Sequence, residues 1–197
     1  MILRFSILFF LFFLNTIYSQ TLGYDKMRPS QIVTKNGDTI NVIGKLKSNV
    51  FKYKRYSTSK TKKINYSEIK FIKIRFEKDI IKTFKFFSVL EKNKIIPVEE
   101  LVKGNKISLY GITSNLNFQV GSGVSTYQMS TEYYTRKPKD KKISKLGRYN
   151  PPFGNIKDKL KNIFSDCNEL LQKVEKKEFK IRSDIQIMFE FYNKNCQ

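Results

Sequence analysis

Apolar and polar positions along the chain fall into three successive regimes. Phe5 to Leu14 (FSILFFLFFL) is a nearly unbroken apolar run. From Gln31 to Tyr134 apolar side chains recur at every second position in short runs divided by polar or glycine-containing intervals, the period of half-buried strands. From Ile156 onward the spacing becomes three and four residues, the period of one helix face.

The strongest local signal in the middle regime is Asn36-Gly37 between two β-branched runs, which predicts a hairpin with a two-residue turn joining Ile32–Lys35 to Thr39–Leu46. In the second strand Ile40, Val42, Gly44 and Leu46 share the core face, and Asn41, Ile43, Lys45 and Lys47 the other. The same alternation predicts strands at Phe51–Tyr56, Phe71–Phe76, Lys82–Phe87, Lys106–Ile112, Leu116–Val120 and Thr126–Tyr134. Polar intervals at Ser57–Lys63 and Glu77–Asp79, and the segments Gly111–Asn115 and Gly121–Gly123, read as connections, and Pro97–Val102 as a short helical turn. The expected fold class is α+β, an antiparallel β-meander sheet or small partial barrel of about eight strands followed by a short C-terminal helical unit.

Arg136 to Pro152 (RKPKDKKISKLGRYNPP) is rich in Lys, Pro and Gly and reads as a mobile basic linker. Beyond it, Ile156, Leu160, Ile163 and Phe164 recur at helical spacing, and Asp166–Glu169 and Ser183–Gln186 have the form of capping boxes. The division expected is therefore 1–19 leader, 20–135 β domain, 136–152 linker and 153–197 helical tail on or beside the sheet.

The first regime has the order of a secretory signal: a short positive region with Arg4, the apolar run, then small and polar residues ending at Ser19. Cleavage is expected between Ser19 and Gln20. A spanning helix needs about 20 apolar residues, and Asn15, Thr16, Ser19 and Gln20 interrupt this one. The mature chain is thus expected in the periplasm, at the cell surface or outside the cell.

Composition adds a surplus of cations, +21 formally, carried almost entirely by lysine: only seven of the 38 Lys and Arg are arginine. Lysine acts as a solvated point charge and suits diffuse attraction to polyanions better than bidentate recognition. A bland reading, lysine covering solvent-facing positions in an AT-rich coding context, accounts for the same residues. The aromatics and cations at Tyr133, Tyr134, Arg136, Lys137, Lys139, Lys141, Lys142, Lys145 and Arg148 form the candidate polyanion contact, set against packed strand tyrosines.

The absence of histidine excludes Ser-His-Asp and Cys-His catalysis and His-ligated zinc. No phosphate-loop, metal-loop or nucleophile-elbow pattern is present, and Gly121–Gly123 reads as a turn. Adjacent Glu99 and Glu100 diverge on either a strand or a helix and make a poor two-carboxylate site. No catalytic, cofactor-binding or metal-ligating residue and no cofactor is assigned.

Cys167 and Cys196 are the only cysteines, without CxxC spacing. In an exported chain an even count favours a structural bridge, and an antiparallel pair of tail helices would bring the two together. Buried free thiols, or pairing with another molecule, remain the alternatives.

Two stretches, LKNIFSDCNELLQKV…FEFYNKNC with its Asp-Cys-x-x-Leu…Tyr-Asn-x-x-Cys pattern and the VTKNGDTINVIGKLK hairpin, resemble uncharacterised secreted proteins of Bacteroidetes-type bacteria, and Lys103–Tyr110 (KGNKISLY) is a third match. Asn168 departs from that pattern, in which proline follows the cysteine. The resemblance implies export, a β-rich body and a cysteine-bearing tail, with no activity to carry over. The function expected is a non-catalytic secreted binding or envelope-associated protein. Its expected partners are anionic envelope polymers or lipids, or another envelope protein, with nucleic acid disfavoured. The alternatives are a histidine-free carboxylate-dependent hydrolase and a structural subunit of an envelope assembly.

Overall fold

The computed structural model describes residues 26–90, 92–120, 124–148 and 156–196, with the side chains of 92–93, 115–120 and 124–129 excepted. The leader, its cleavage point and the Gly121–Gly123 turn lie outside the described residues. Among the described residues ten strands form one antiparallel sheet: β1 (Arg28–Thr34), β2 (Thr39–Leu46), β3 (Val50–Lys54), β4 (Lys62–Asn65), β5 (Ile69–Arg75), β6 (Ile81–Val89), β7 (Lys92–Val102), β8 (Ser108–Val120), β9 (Val124–Arg136) and β10 (Ser144–Arg148). Three helices follow, α1 (Ile156–Ile163), α2 (Asn168–Glu175) and α3 (Ile185–Asn195). The fold is α+β. The sheet order β10-β9-β8-β7-β6-β5-β1-β2-β3-β4 is two meanders joined where β5 returns to pair with β1.

That return cannot be made in a flat sheet. Only Tyr66–Glu68, one 3-10 turn, separates β4 from β5. The register would put Asn65 and Ile69 more than about 30 Å apart in a plane, whereas four Cα steps reach ~14 Å at most. β1–β5 therefore curl until β4 approaches β5. Lys35 N donates to Glu68 O at 2.9 Å across this seam, and the Tyr66 hydroxyl bonds the backbone of Lys47. Ile32, Val42, Leu46, Phe51, Tyr66, Ile69, Ile72 and Ile74 fill the curl, as the alternation predicted for β2 and β5.

The other half curls toward the opposite face. Ile143 bridges to Val89 of β6 while Ser144 pairs with Thr135 of β9, so two strands three positions apart in the sheet are joined across one peptide. Val89, Val98, Tyr110, Tyr134 and Ile143 form this second core. β6 serves both cores by its alternation: Phe84 and Phe86 face the first, Phe87 and Val89 the second. A third core lies between the helices and the front of the sheet, where Leu109 and Leu146 meet Leu160, Phe164, Leu170 and Phe189.

Several sequence expectations change. The first hairpin has a three-residue loop: Gly37 N donates to Thr34 O, Thr34 N donates to Asp38 O, and Gly37 alone takes positive φ, at 96°. This is a type I turn closed by a bulge at glycine, so Asn36 needs no left-handed backbone. Pro97 lies inside β7, opposite Phe86 and short of the β8 ladder that begins at Glu99, so its missing N–H breaks no bond on that side. Gly111 continues β8 as a ladder residue opposite Tyr133, and a side chain there would meet Leu101 at 2.8 Å. The expected linker begins inside β9 and carries β10, because Ile143 and Leu146 are buried among its lysines. Neither expected capping box forms: Cys167 and Asp184 occupy the N-caps, and the Asp184 carboxylate instead accepts from Lys180 N at 2.8 Å.

Candidate functional site

Two of the three motif stretches, the cysteine-bearing tail and Lys103–Tyr110, meet at the end of α3, while the Asn36-Gly37 hairpin lies apart in the first curl. The loop between β7 and β8 supplies Gly104, Lys106 and Ile107, and the Asn193 side chain ties it to the helix. Its Oδ1 accepts from Lys106 N at 3.0 Å and Ile107 N at 3.1 Å, and its Nδ2 donates to Ile107 O at 2.9 Å. A Cβ at residue 104 would lie 2.2 Å from Asn193 Oδ1, which is why glycine stands there. One turn on, Cys196 is bonded to Cys167, with Cα atoms 5.4 Å apart. The Tyr192 hydroxyl donates to Asp166 Oδ2 at 2.9 Å; burial and then this carboxylate push its pKa up to about 12. Lys106 Nζ reaches Cys196 O and lies 5.4 Å over the Tyr192 ring. All these groups are engaged with one another, and the motif staples the helical tail to the sheet.

The nine residues expected to contact polyanions separate into two sets. Tyr133 and Tyr134 lie on opposite faces of β9, each covered. Tyr133 packs under the helices and burial raises its pKa, the Thr131 hydrogen bond only partly offsetting this. Tyr134 is buried and donates to Glu132 Oε2 at 2.6 Å. Lys145 Nζ is 2.7 Å and Arg148 Nε 3.5 Å from Glu132 Oε1, and the Arg136 guanidinium stacks 4.8 Å over Phe87. Tyr134, Arg136, Lys145 and Arg148 hold the second curl together and Tyr133 belongs to the helix-side core, so the five do not form a free contact surface. Lys137, Lys139, Lys141 and Lys142 are exposed on the turn between β9 and β10.

The larger cationic surface is a basic sheet face, the outside of the first curl, of which sequence reasoning named no residues. Residues 28–75 contain thirteen Lys and Arg against two acids, Asp38 and Glu68. Every ion pair among the described residues lies between positions 82 and 178. Glu68 is engaged locally, its Oε1 accepting from Asn65 N at 3.1 Å. On the outside of the curl Lys45 pairs with Lys52 and Lys52 with Lys63, three lysines abreast on β2, β3 and β4. Like charges directly opposite one another destabilise a sheet, and among the described residues no carboxylate pairs with these. The alternating lysines of KLK, FKYK and KK were visible in the sequence, but their alignment needed the register.

Beside this row lies a cleft of ≈390 Å³ lined by Asn49, Asn65, Tyr66, Ser67, Lys94 and Ile95. Tyr66 is buried, and its pKa is raised by that burial against the Lys47 backbone bond. Glu99 and Glu100 occupy opposite faces of β7, neutralised by Lys82 at 2.7 Å and Lys85 at 2.6 Å. Among the described residues no group of three His, Cys, Asp or Glu is placed to hold a metal ion. Comparison with protein-family models, with curated proteins and with solved structures gives no match to this chain.

Proposed function

We propose that this is an exported, non-catalytic binding protein that associates with anionic surfaces of the cell envelope. The observation that carries the reading is the unneutralised cationic exterior of the β1–β5 curl, to which Lys137, Lys139, Lys141 and Lys142 add a second exposed cluster. A surface that retains such charge without ion pairs attracts polyanions through long-range potential, at some cost to its own stability. The leader pattern and the Cys167–Cys196 bond are both compatible with an oxidising, exported setting. Expression with the leader in a secreting host, followed by chromatography on anionic polysaccharide and anionic lipid matrices, tests it. Recovered protein should begin at Gln20, be held at low ionic strength and elute as salt shortens the Debye length to about 3–8 Å. Material that begins at Met1, or that passes through at low salt as it does on a neutral matrix, would sink the reading.

A further inference from the structure

We infer that the cleft beside the lysine row, together with Lys45, Lys52 and Lys63, is a binding site for an acidic polysaccharide. The inference rests on the proposed polyanion association and names its site and ligand class. Alternation along β4 places Lys63 and Asn65 on one face, and the pairing of Asn65 with Val50 sets Asn49 at the adjoining turn. From there the chain enters the 3-10 turn that presents Ser67, and β7 supplies Lys94 from the other side. The row of charges thus runs into the polar cleft without a break.

The two parts suit two features of one polymer. The amides of Asn49 and Asn65 and the Ser67 hydroxyl offer donors and acceptors together, as sugar hydroxyls require. The Asn49, Ser67 and Lys94 side chains carry no hydrogen bond among the described residues, while the Tyr66 hydroxyl is occupied by Lys47. Lysines on adjacent strands, about 4.8 Å apart across the sheet, present point charges to carboxylates or sulfates on successive sugar units. The other polyanions fit less well. Among the described residues the large exposed apolar side chains are Tyr56, Ile80, Ile81, Leu90 and Ile187, none of which lines the cleft or the row. The ring that lines the cleft, Tyr66, is buried and not free for base stacking, and its one aliphatic, Ile95, is packed against the first core and does not project as a bilayer anchor.

Calorimetric titration of the full mature chain with an oligogalacturonate at fixed ionic strength tests this, with a neutral oligosaccharide, a single-stranded oligonucleotide and anionic vesicles as comparison probes. The oligogalacturonate should bind saturably and tighter than the other three. The neutral pair Asn49→Ala/Ser67→Ala should weaken it about three- to tenfold, the scale of one or two lost hydrogen bonds. Lys52→Gln/Lys63→Gln should weaken it more than Lys141→Gln/Lys142→Gln, which removes the same charge elsewhere. Because it relieves like-charge pairing, the Lys52/Lys63 variant should melt no lower than the parent. Equal weakening by both lysine pairs with no effect of Asn49→Ala/Ser67→Ala overturns the site and leaves general polyanion association standing. Tighter binding of the oligonucleotide or of vesicles overturns the ligand class. Failure to bind any anionic probe at low salt removes the site and the reading beneath it together.

Discussion

Glu132 is the residue on which the second curl's polar side turns. Burial opposes its charge, but the bonds from Lys145 and Tyr134 and the charges of Lys145 and Arg148 outweigh burial and hold its pKa below the ordinary value. A carboxylate whose folded pKa is depressed contributes stability above its unfolded pKa and loses it as pH falls through the folded value. Glu132→Gln should therefore cost about 1–3 kcal/mol at neutral pH, the scale of a lost charged hydrogen-bond partner. The difference from the parent should begin to shrink as pH falls below about 4, the ordinary glutamate range, and should vanish once the carboxylate is protonated in the folded state as well. Urea unfolding at pH 7 and pH 3 measures both ends, and an equal loss at the two would show that packing, not charge, was removed.

At the scale of elements, the tail is tied to the sheet by a covalent and a hydrogen-bonded link in the same place. The disulfide closes a loop of 29 residues, for which chain entropy gives ~3–4 kcal/mol as an upper estimate. Cys167→Ser/Cys196→Ser should lower stability by up to that amount while Asn193 keeps α3 docked on Ile107. Denaturant melts followed by tail and sheet probes check it; a tail that is unfolded in the variant without denaturant would mean that the bond alone holds it. This pairing was legible from two cysteines placed at the ends of paired helical segments, and the first hairpin from Asn36-Gly37. The S-shaped course was not. It depends on Ile143 reaching Val89 and on Glu68 reaching Lys35, contacts between residues far apart in sequence that no local period encodes. β10 was hidden for a related reason: Ile143 and Leu146 are too few, among lysines, to show a period until a neighbouring strand pairs with them. The candidate site failed to show for want of register, since Lys45, Lys52 and Lys63 stand together only once the turns fix which strand positions face each other.

For the whole molecule the consequence is a sheet that is continuous in hydrogen bonding but divided in its cores. The β1–β5 core and the two cores of β6–β10 and the helices form separate clusters, joined through β6, whose Phe86 stacks on Tyr66 at 4.6 Å. The first curl also carries the unneutralised charge, so its self-repulsion makes it the half expected to open first at low ionic strength. Phe51, fully buried in that curl, is the place to test the division. Phe51→Ala should cost about 3–5 kcal/mol, as truncation of a core aromatic does. Hydrogen exchange should then show amides between 28 and 75 losing protection while those near Leu109, Tyr134 and Phe189 retain theirs. Added salt should restore protection chiefly in the first curl, where lysines face one another across adjacent strands with no ion pair among the described residues. Loss of protection spread evenly from β1 to α3 would mean that the β5–β6 ladder couples the halves into one unfolding unit, and the cationic face would then weaken the whole protein and not one end of it.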